Sequence, residues 1–385
     1  MKKHKMKQLM AFFACTALLL QACGQDGATK SKEVEPKKVE APKPAKEYKL
    51  SDYLSENEQL DKDVEALFAS LDDTAIVAQL IMPAAGINGF DPAVVKKYIQ
   101  NRQIGGVLLL KGSQTQFTSW IKDFKKLNAK NGDPKFLFSS DAEPTLFNMK
   151  IKGTPIVKRA NEIASLNEVV QCADTIAKYL TKMGINYNFA PVVDLSQNAT
   201  VGYRGFGKNP TNNVPWSIAF IEEMQKNGII ATAKHFPGHG LVSGDTHKSL
   251  QTIDGELKEV PTYLGLIKDS VLSVMIGHLA VMNNPKYNTN GLPATCSKVI
   301  VTDLLRNELG FKGLVVTDAM NMGGVTAVPN SATKAVEAGC DIILMPLDAG
   351  KTHSELLAKY RKDPEFKKIV DVAAKRILRM KLCVK

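Results

Sequence analysis

The sequence has few cysteines, and it has no apolar run at its amino terminus long enough to cross a membrane. The run that is there, Met10 to Leu20, has about half of the ~20 residues that a spanning helix needs. Six cysteines occur in 385 residues, and none has the spacing of a metal site. The four cysteines of the folded part are predicted to be buried thiols and not a disulfide framework: Cys172, Cys296, Cys340 and Cys383.

Positive charge is abundant, but its arrangement is not that of a nucleic-acid-binding protein. The net charge is +11, and the first 22 residues hold four of the lysines and no acid. No stripe of lysine and arginine interleaved with aromatic side chains occurs, so no nucleic-acid partner is expected. The hydrophobic content of 44% is that of a globular protein.

The amino-terminal segment has the features of a targeting sequence. A lysine-rich stretch, Lys2 to Lys7, precedes the apolar run, which ends in Leu20-Gln21-Ala22-Cys23. Small residues before a cysteine resemble the processing box of bacterial lipoproteins, which implies a signal peptide at residues 1–22 and a lipidated Cys23. The alternative is an ordinary signal peptide with an incidental cysteine. The resemblance implies a cell-envelope protein that is anchored to a bacterial membrane without spanning it.

A tether is predicted between this segment and the folded part. Residues 23–48 mix lysine, glutamate and proline with almost no large apolar side chain. Such a composition cannot bury a core, so an extended, disordered segment is expected. Residues 49–385 are expected to form one folded domain.

Within the folded part, short β-branched runs alternate with amphipathic stretches, which predicts βα units and parallel strands. Eight such runs favour an α/β fold of the (β/α)8 TIM-barrel type, with a single catalytic domain. The predicted helices include Asn167–Met183, Val214–Asn227, Lys298–Leu309 and Ala332–Ala338. The predicted strands are Ala75–Met82, Ile104–Leu110, Phe136–Ser140, Ile185–Val193, Ile229–Ala233, Val271–Gly277, Gly313–Thr317 and Asp341–Met345.

Ionisable residues follow five of these strand-like runs. Because active sites in such barrels lie at the carboxyl ends of the strands, these residues are expected to meet in one site. The alternative for any one of them is a buried structural group, but five at one edge of one barrel favour a site. In chain order they are Asp141, Asp194, Lys234-His235, His278 and Asp318.

One stretch carries the most specific motif. Lys234-His235-Phe236-Pro237-Gly238-His239-Gly240 is followed by Asp245-Thr246-His247. This arrangement resembles the signature of glycoside hydrolase family 3, in its N-acetyl-β-glucosaminidase branch. Val192-Val193-Asp194 and Val315-Val316-Thr317-Asp318 match further landmarks of that family in the same order. The resemblance covers essentially the whole folded part and implies a TIM-type barrel and a retaining mechanism.

The resemblance also implies which groups react. A retaining glycosidase needs a carboxylate nucleophile and an acid/base group near the leaving oxygen. Asp318 matches the nucleophile, and a helix N-cap is the alternative role for it. His247 matches the acid/base, with Asp245 fixing its tautomer. The alternatives here are a solvated loop histidine and a metal site, although zinc-type spacing is missing from its candidate ligands, His235, His239, Asp245 and His247.

Substrate-binding residues follow from the same match. Met322 falls where the family often has a methionine beside the N-acetyl group, and His239 is expected to brace its loop. The sequence departs from the family at Asp141-Ala142-Glu143-Pro144-Thr145, where both glycines of the usual Asp-Gln-Glu-Gly-Gly are lost. That loss is expected to change the loop. The residues that match hydrogen-bonding positions for sugar hydroxyls are Asp141, Arg204, Lys234 and His235.

The expected function is a retaining exo-β-N-acetylglucosaminidase that acts on peptidoglycan fragments or other amino-sugar glycans. No metal or organic cofactor is implied, and a monomer is expected. One alternative is a phosphorylase on the same fold, because a neutral histidine repels phosphate less than a second carboxylate does. The others are a β-glucosidase and a non-catalytic, glycan-binding envelope lipoprotein.

Overall fold

The computed structural model describes residues 47–195, 198, 200–207, 210–269 and 271–385. The predicted signal peptide, the lipidated Cys23 and nearly all of the predicted tether lie outside the described residues. Among the helices that are described, none combines the length and the apolar composition needed to cross a bilayer.

A ring of parallel strands forms the centre of the fold. Hydrogen-bonded neighbours follow the order β11, β9, β7, β6, β4, β3 and β2, and β12 pairs with β1. A bridge between Val316 and Ile342 joins β11 to β12 and closes the ring. The described strands are β1 (Ile81–Met82), β2 (Ala84–Gly86), β3 (Gly106–Ser113), β4 (Leu137–Ser140), β5 (Ile151–Lys152), β6 (Tyr187–Asn188), β7 (Ile230–Phe236), β8 (Gln251–Asp254), β9 (Ser273–Ile276), β10 (Leu279–Met282), β11 (Leu314–Thr317) and β12 (Ile343–Leu344).

Helices surround the ring and connect its strands. A π-helical segment, Val299–Glu308, precedes β11 and takes the place of one α-helix. The described α-helices are α1 (Glu58–Ala69), α2 (Asp73–Ala78), α3 (Pro92–Gln100), α4 (Gln114–Asn131), α5 (Phe147–Lys150), α6 (Leu166–Met183), α7 (Pro210–Lys226), α8 (Val260–Lys268), α9 (Gly323–Thr326), α10 (Ser331–Ala338), α11 (Ala349–Lys362) and α12 (Pro364–Cys383).

Local sequence explains where the long helices begin and end. The Ser165 side chain accepts the N–H of Glu168 and caps the start of α6, as Ser113 does for α4. Gly132 and Gly184 end the same two helices in the left-handed region, with φ of 71° and 86°. Between its caps, α6 buries one apolar stripe in the core and packs beside α4 and α7.

The core lies inside and around the ring. Every side chain of β7 is buried, as a central strand of a closed parallel barrel requires. The four cysteines of the folded part are free and buried, which confirms that expectation. A cavity of about 920 Å³ opens at the amino-terminal end of the strands beside Ile185, Ile229 and Leu272. It therefore lies at the end of the barrel opposite the ionisable strand-end residues.

The barrel prediction is confirmed, but the first predicted strand is largely wrong. Residues Asp73–Ala78 form α2, and the strand begins only at Ile81. Asp72 accepts the N–H of Ala75 at 2.8 Å and starts the helix. Because α2 is buried from Ala75 to Ala78, its apolar run has no helical periodicity and resembles a buried strand.

Candidate active site

A buried carboxyl group, a half-buried one and three cations form a network at the carboxyl ends of β4, β6 and β7. Lys234 Nζ lies 2.6 Å from Glu143 Oε1 and 3.1 Å from Asp141 Oδ1. Arg204 donates through Nε at 2.9 Å and Nη2 at 2.5 Å to the two oxygens of Glu143. Lys150 Nζ contacts the other oxygen of Asp141 at 2.7 Å. The network brings together three of the predicted binding residues, Asp141, Arg204 and Lys234.

The network keeps Asp141, Glu143, Arg204 and Lys234 ionised. Burial by itself would raise the pKa of Glu143, but Arg204 and then Lys234 outweigh it and hold that pKa at about 2. The same balance, with Lys150 and Lys234 as the cations, holds the pKa of Asp141 well below its usual value. The carboxylates in turn raise the pKa of Arg204 and of Lys234 above their usual values, against the effect of burial. Fixed charges of this kind make strong hydrogen bonds to hydroxyl groups.

Asp194 organises the two histidines of the loop that follows Lys234. Its Oδ1 accepts the backbone N–H of His235 at 3.1 Å and of His239 at 2.9 Å. Its Oδ2 lies 2.7 Å from His235 Nδ1 and so fixes the orientation of that ring. The two imidazole rings meet edge to face, with centroids 5.7 Å apart. Burial, and then repulsion from His235, lower the pKa of His239 to about 4.

Asp318 follows β11 at the same end of the ring. Its N–H donates to Ile276 at 2.9 Å, and its Oδ1 accepts the N–H of Ala319 at 2.8 Å. Burial would raise the pKa of Asp318, but attraction to His235 and to His278 holds it below its usual value. The N-cap position of α9 is occupied by Met322, so Asp318 does not cap that helix. The lowered pKa keeps the Asp318 carboxylate ionised, and the carboxylate is not used as a helix cap.

His247 and Asp245 form a hydrogen-bonded pair on the loop after β7. His247 Nδ1 lies 2.8 Å from Asp245 Oδ1, which also accepts the His247 N–H at 2.9 Å. The histidine side chain is 58% exposed. The carbonyls of Thr246 and His247 accept the N–H groups of Gly324 and Gly323, each at 3.0 Å. The loop is thereby bound to the chain segment that follows Asp318.

The candidate metal ligands separate into two groups. The backbone N–H groups of His235 and His239 both donate to Asp194, whereas Asp245 and His247 pair with each other. Within the described part of the chain, no group of three or more histidine, cysteine, aspartate or glutamate side chains is placed to hold an ion.

Three members of this arrangement, Glu143, Lys150 and Glu259, were not among the predicted site residues, whereas Asp194 was one of the strand-end residues expected there. Glu143 carried a signal, because it lies just after a strand-like run. Lys150 and Glu259 carried none: Lys150 lies in no strand-end motif although Asp141 is only nine residues away, and Glu259 contacts Leu195, which is 64 residues away. Glu259 accepts the N–H of Leu195 and Leu241 beneath the loop after β7.

Comparison with known proteins identifies the family. The description "Glycosyl hydrolase family 3 N terminal domain" matches residues 73–380. The chain belongs to glycosyl hydrolase family 3. This confirms the resemblance found in the sequence, and it accounts for the conjunction of a closed barrel with ionisable residues at its strand ends.

Two curated β-hexosaminidases share about a third of the matched residues with this chain. The "Beta-hexosaminidase A" of Pseudoalteromonas piscicida is 35% identical over 194 residues, which cover 46% of this chain and 32% of that protein. The "Beta-hexosaminidase" of Hydrogenovibrio crunogenus is 34% identical over 197 residues, covering 49% of this chain and 54% of that protein. The matched segment thus spans between a third and about half of the length of these relatives.

Solved family 3 structures share the fold. A β-N-acetylglucosaminidase from Paenibacillus has a TM-score of 0.74 and 27% identity, covering 81% of this chain and 62% of its own. A β-N-acetylhexosaminidase from Beutenbergia cavernae has a TM-score of 0.72 and 27% identity, covering 81% of this chain and 99% of its own. The barrel therefore corresponds to nearly the whole of the second protein.

Proposed function

We propose that this family 3 protein is a retaining exo-β-N-acetylglucosaminidase. The observation that carries the proposal is the conjunction of an ionised Asp318 with an Asp245–His247 pair on a loop bound to the segment after it. The names of the relatives, which are β-hexosaminidases and β-N-acetylglucosaminidases, support the same activity. The proposed substrates are peptidoglycan fragments or other glycans that end in N-acetylglucosamine.

The first step of the proposed reaction transfers the sugar to Asp318. The carboxylate attacks the anomeric carbon while the bond from that carbon to the leaving oxygen breaks. The imidazolium of His247 gives its proton to the leaving oxygen, so the aglycone departs as a neutral alcohol. Asp245 holds Nδ1 of the ring, which leaves Nε2 for the proton transfer.

The second step releases the sugar with its original anomeric configuration. Water attacks the anomeric carbon as neutral His247 removes its proton, and the bond to Asp318 breaks. The histidine ends protonated and the carboxylate free, so both groups return to their starting state. An exposed histidine on a loop suits this exchange, because leaving group and water must both reach it.

Sugar binding is proposed to rest on the charged network. Asp141, Arg204, Lys234 and His235 are held by buried partners, so they meet hydroxyl groups in fixed positions. Met322 lies four residues after Asp318, is buried, and is proposed to contact the N-acetyl group.

The activity is tested with two aryl glycosides, an N-acetyl-β-glucosaminide and a β-glucoside, in buffers with and without phosphate. We expect hydrolysis of the first substrate and free N-acetylglucosamine in both buffers. A predominance of sugar 1-phosphate in phosphate buffer would identify a phosphorylase, and preferential turnover of the glucoside would identify a β-glucosidase. Binding of N-acetylglucosamine glycans without turnover of either substrate would identify a glycan-binding protein.

A further inference from the structure

A buried carboxyl group beneath the site joins the two loops that carry Asp194 and the histidines. Glu259 immediately precedes α8 and is only 3% exposed. Its Oε2 accepts the N–H of Leu195 at 2.6 Å, in the loop after β6. Its Oε1 accepts the N–H of Leu241 at 3.1 Å, in the loop after β7, and Gly240 donates to the same carboxylate. One side chain therefore binds both loops where they meet.

The glycines of the histidine loop leave room for this side chain. A Cβ atom at Gly238 would lie 2.4 Å from Cβ of Glu259, and one at Gly240 would lie 2.8 Å from its Oε2. Any larger residue at either position would push Glu259 away from the backbone N–H groups. The spacing Gly238-His239-Gly240 thus matches the shape of the carboxyl group below it.

We infer that Glu259 is a positioning residue, which in its ionised form fixes the loop from His235 to His247 against the loop of Asp194. The N–H groups that it holds belong to residues adjacent to Asp194 and to His239. Asp194 in turn fixes the ring of His235. The same loop continues to Asp245 and His247, so its path sets where the proposed acid/base lies. The inference rests on the proposed function, since it concerns the geometry needed for hydrolysis.

Protonation of Glu259 is expected to break its hydrogen bonds to the loop N–H groups. An ionised carboxylate only accepts hydrogen bonds, whereas a protonated one turns one oxygen into a donor, which leaves a loop N–H without its acceptor. Burial, and then the negative charge of Asp194, raise the pKa of Glu259 to about 7, although the loop N–H groups oppose the rise. Among the described residues, other charged or titratable groups around this carboxyl pair include His235, His239 and Arg204 near Asp194, and Tyr263 of α8.

The pH dependence of kcat/KM for the aryl N-acetylglucosaminide tests the inference. In the wild type we expect activity to fall as the pH drops through about 7. Glu259→Gln cannot ionise, so its activity at pH 8 should be lower by about 10- to 100-fold and should not fall further near pH 7. Glu256→Gln is the matched control, because Glu256 is exposed three residues away, and it should keep the wild-type profile. An unchanged acid limb in Glu259→Gln overturns the inference.

Amide hydrogen exchange in the wild type supplies a second test that needs neither activity nor a folded variant. After correction for the intrinsic pH dependence of exchange, protection of the Leu195, Gly240 and Leu241 amides should fall at least about tenfold between pH 8 and pH 6. The Val315 amide is the internal control. It lies in β11, outside the two loops that Glu259 contacts, and donates to the carboxylate of Asp341 at 2.8 Å. Equal protection of the loop amides at both pH values overturns the inference. An inactive wild type that still shows this loss of protection would refute the proposed function alone.

Discussion

At the scale of single residues, the side chains of the proposed sugar site stay ionised because oppositely charged neighbours stabilise them, and not because water does. Glu143 is completely buried and is held between Arg204 and Lys234. A carboxylate in such surroundings is stable only while both cations remain in place. The two cations are in turn held where they would meet sugar hydroxyls. Glu143 therefore supports binding without being proposed to touch the sugar.

This pairing predicts how stability depends on pH. The pKa of Glu143 is about 2 in the folded protein, against an ordinary 4.5, so ionisation of Glu143 favours the folded state. The contribution, about 3 kcal/mol from the size of the shift, is fully present above pH 4.5 and is lost as the pH falls towards 2. Urea unfolding should therefore show Glu143→Gln to be much less stable than the wild type at pH 6, with the difference shrinking below pH 4.5.

An exposed glutamate provides the control for this measurement. Glu56 lies on the surface, so Glu56→Gln should leave the free energy of unfolding within about 0.5 kcal/mol of the wild type at every pH. A difference between Glu143→Gln and the wild type that stays constant from pH 6 to pH 3 would contradict the assigned pairing.

At the scale of elements, the loop after β7 depends on contacts from three other parts of the chain. Glu259 holds its first part, at Gly240 and Leu241. Asn198 holds its middle, since its side chain donates to the carbonyls of Val242 at 2.7 Å and Gly244 at 2.8 Å. Gly323 and Gly324 hold its end, next to His247. The loop is exposed at His247 but its backbone is fixed on both sides.

The contact between Gly323 and the His247 loop predicts the effect of a methyl group added at position 323. A Cβ at position 323 would lie 2.2 Å from the carbonyl oxygen of Lys248. Gly323→Ala should therefore displace the His247 loop and lower kcat/KM by about 10- to 100-fold on substrates whose leaving group needs a proton. The loss should be smaller on an aryl substrate with a strongly activated leaving group, and the melting temperature should change little.

A glycine on a helix serves as the matched control. Gly265 lies in α8, and an added Cβ there would meet only the side chain of Val214, at 3.2 Å. Gly265→Ala should retain wild-type activity on both kinds of substrate. Equal activity of Gly323→Ala and the wild type on the unactivated substrate would show that the loop contact does not position His247.

At the scale of the whole molecule, the barrel could be predicted because eight apolar runs recur with helical patterns between them. The strand β7 and the helix α6 fall close to their predicted bounds. The run at Ala75–Met82 could not be assigned correctly, because a short helix buried on all sides has no amphipathic pattern.

The candidate site was only partly predictable, for a different reason. Asp318 and Lys234 stand at strand ends, which topology alone brings together. The partners that fix the charges lie far away in sequence: Glu143 is 61 residues from Arg204, and Glu259 is 64 residues from Leu195. No local pattern encodes such pairs, since each depends on how the closed ring brings separate loops into contact.

Mass spectrometry of a trapped intermediate tests whether Asp318 forms the bond to the sugar. A 5-fluoro-N-acetylglucosaminyl fluoride slows the second step more than the first, so the covalent intermediate accumulates. We expect one added sugar on the peptide that contains Asp318, and no added sugar on the nearly inactive Asp318→Ala. A label on another residue, or unimpaired turnover by Asp318→Ala, would show that Asp318 is not the nucleophile.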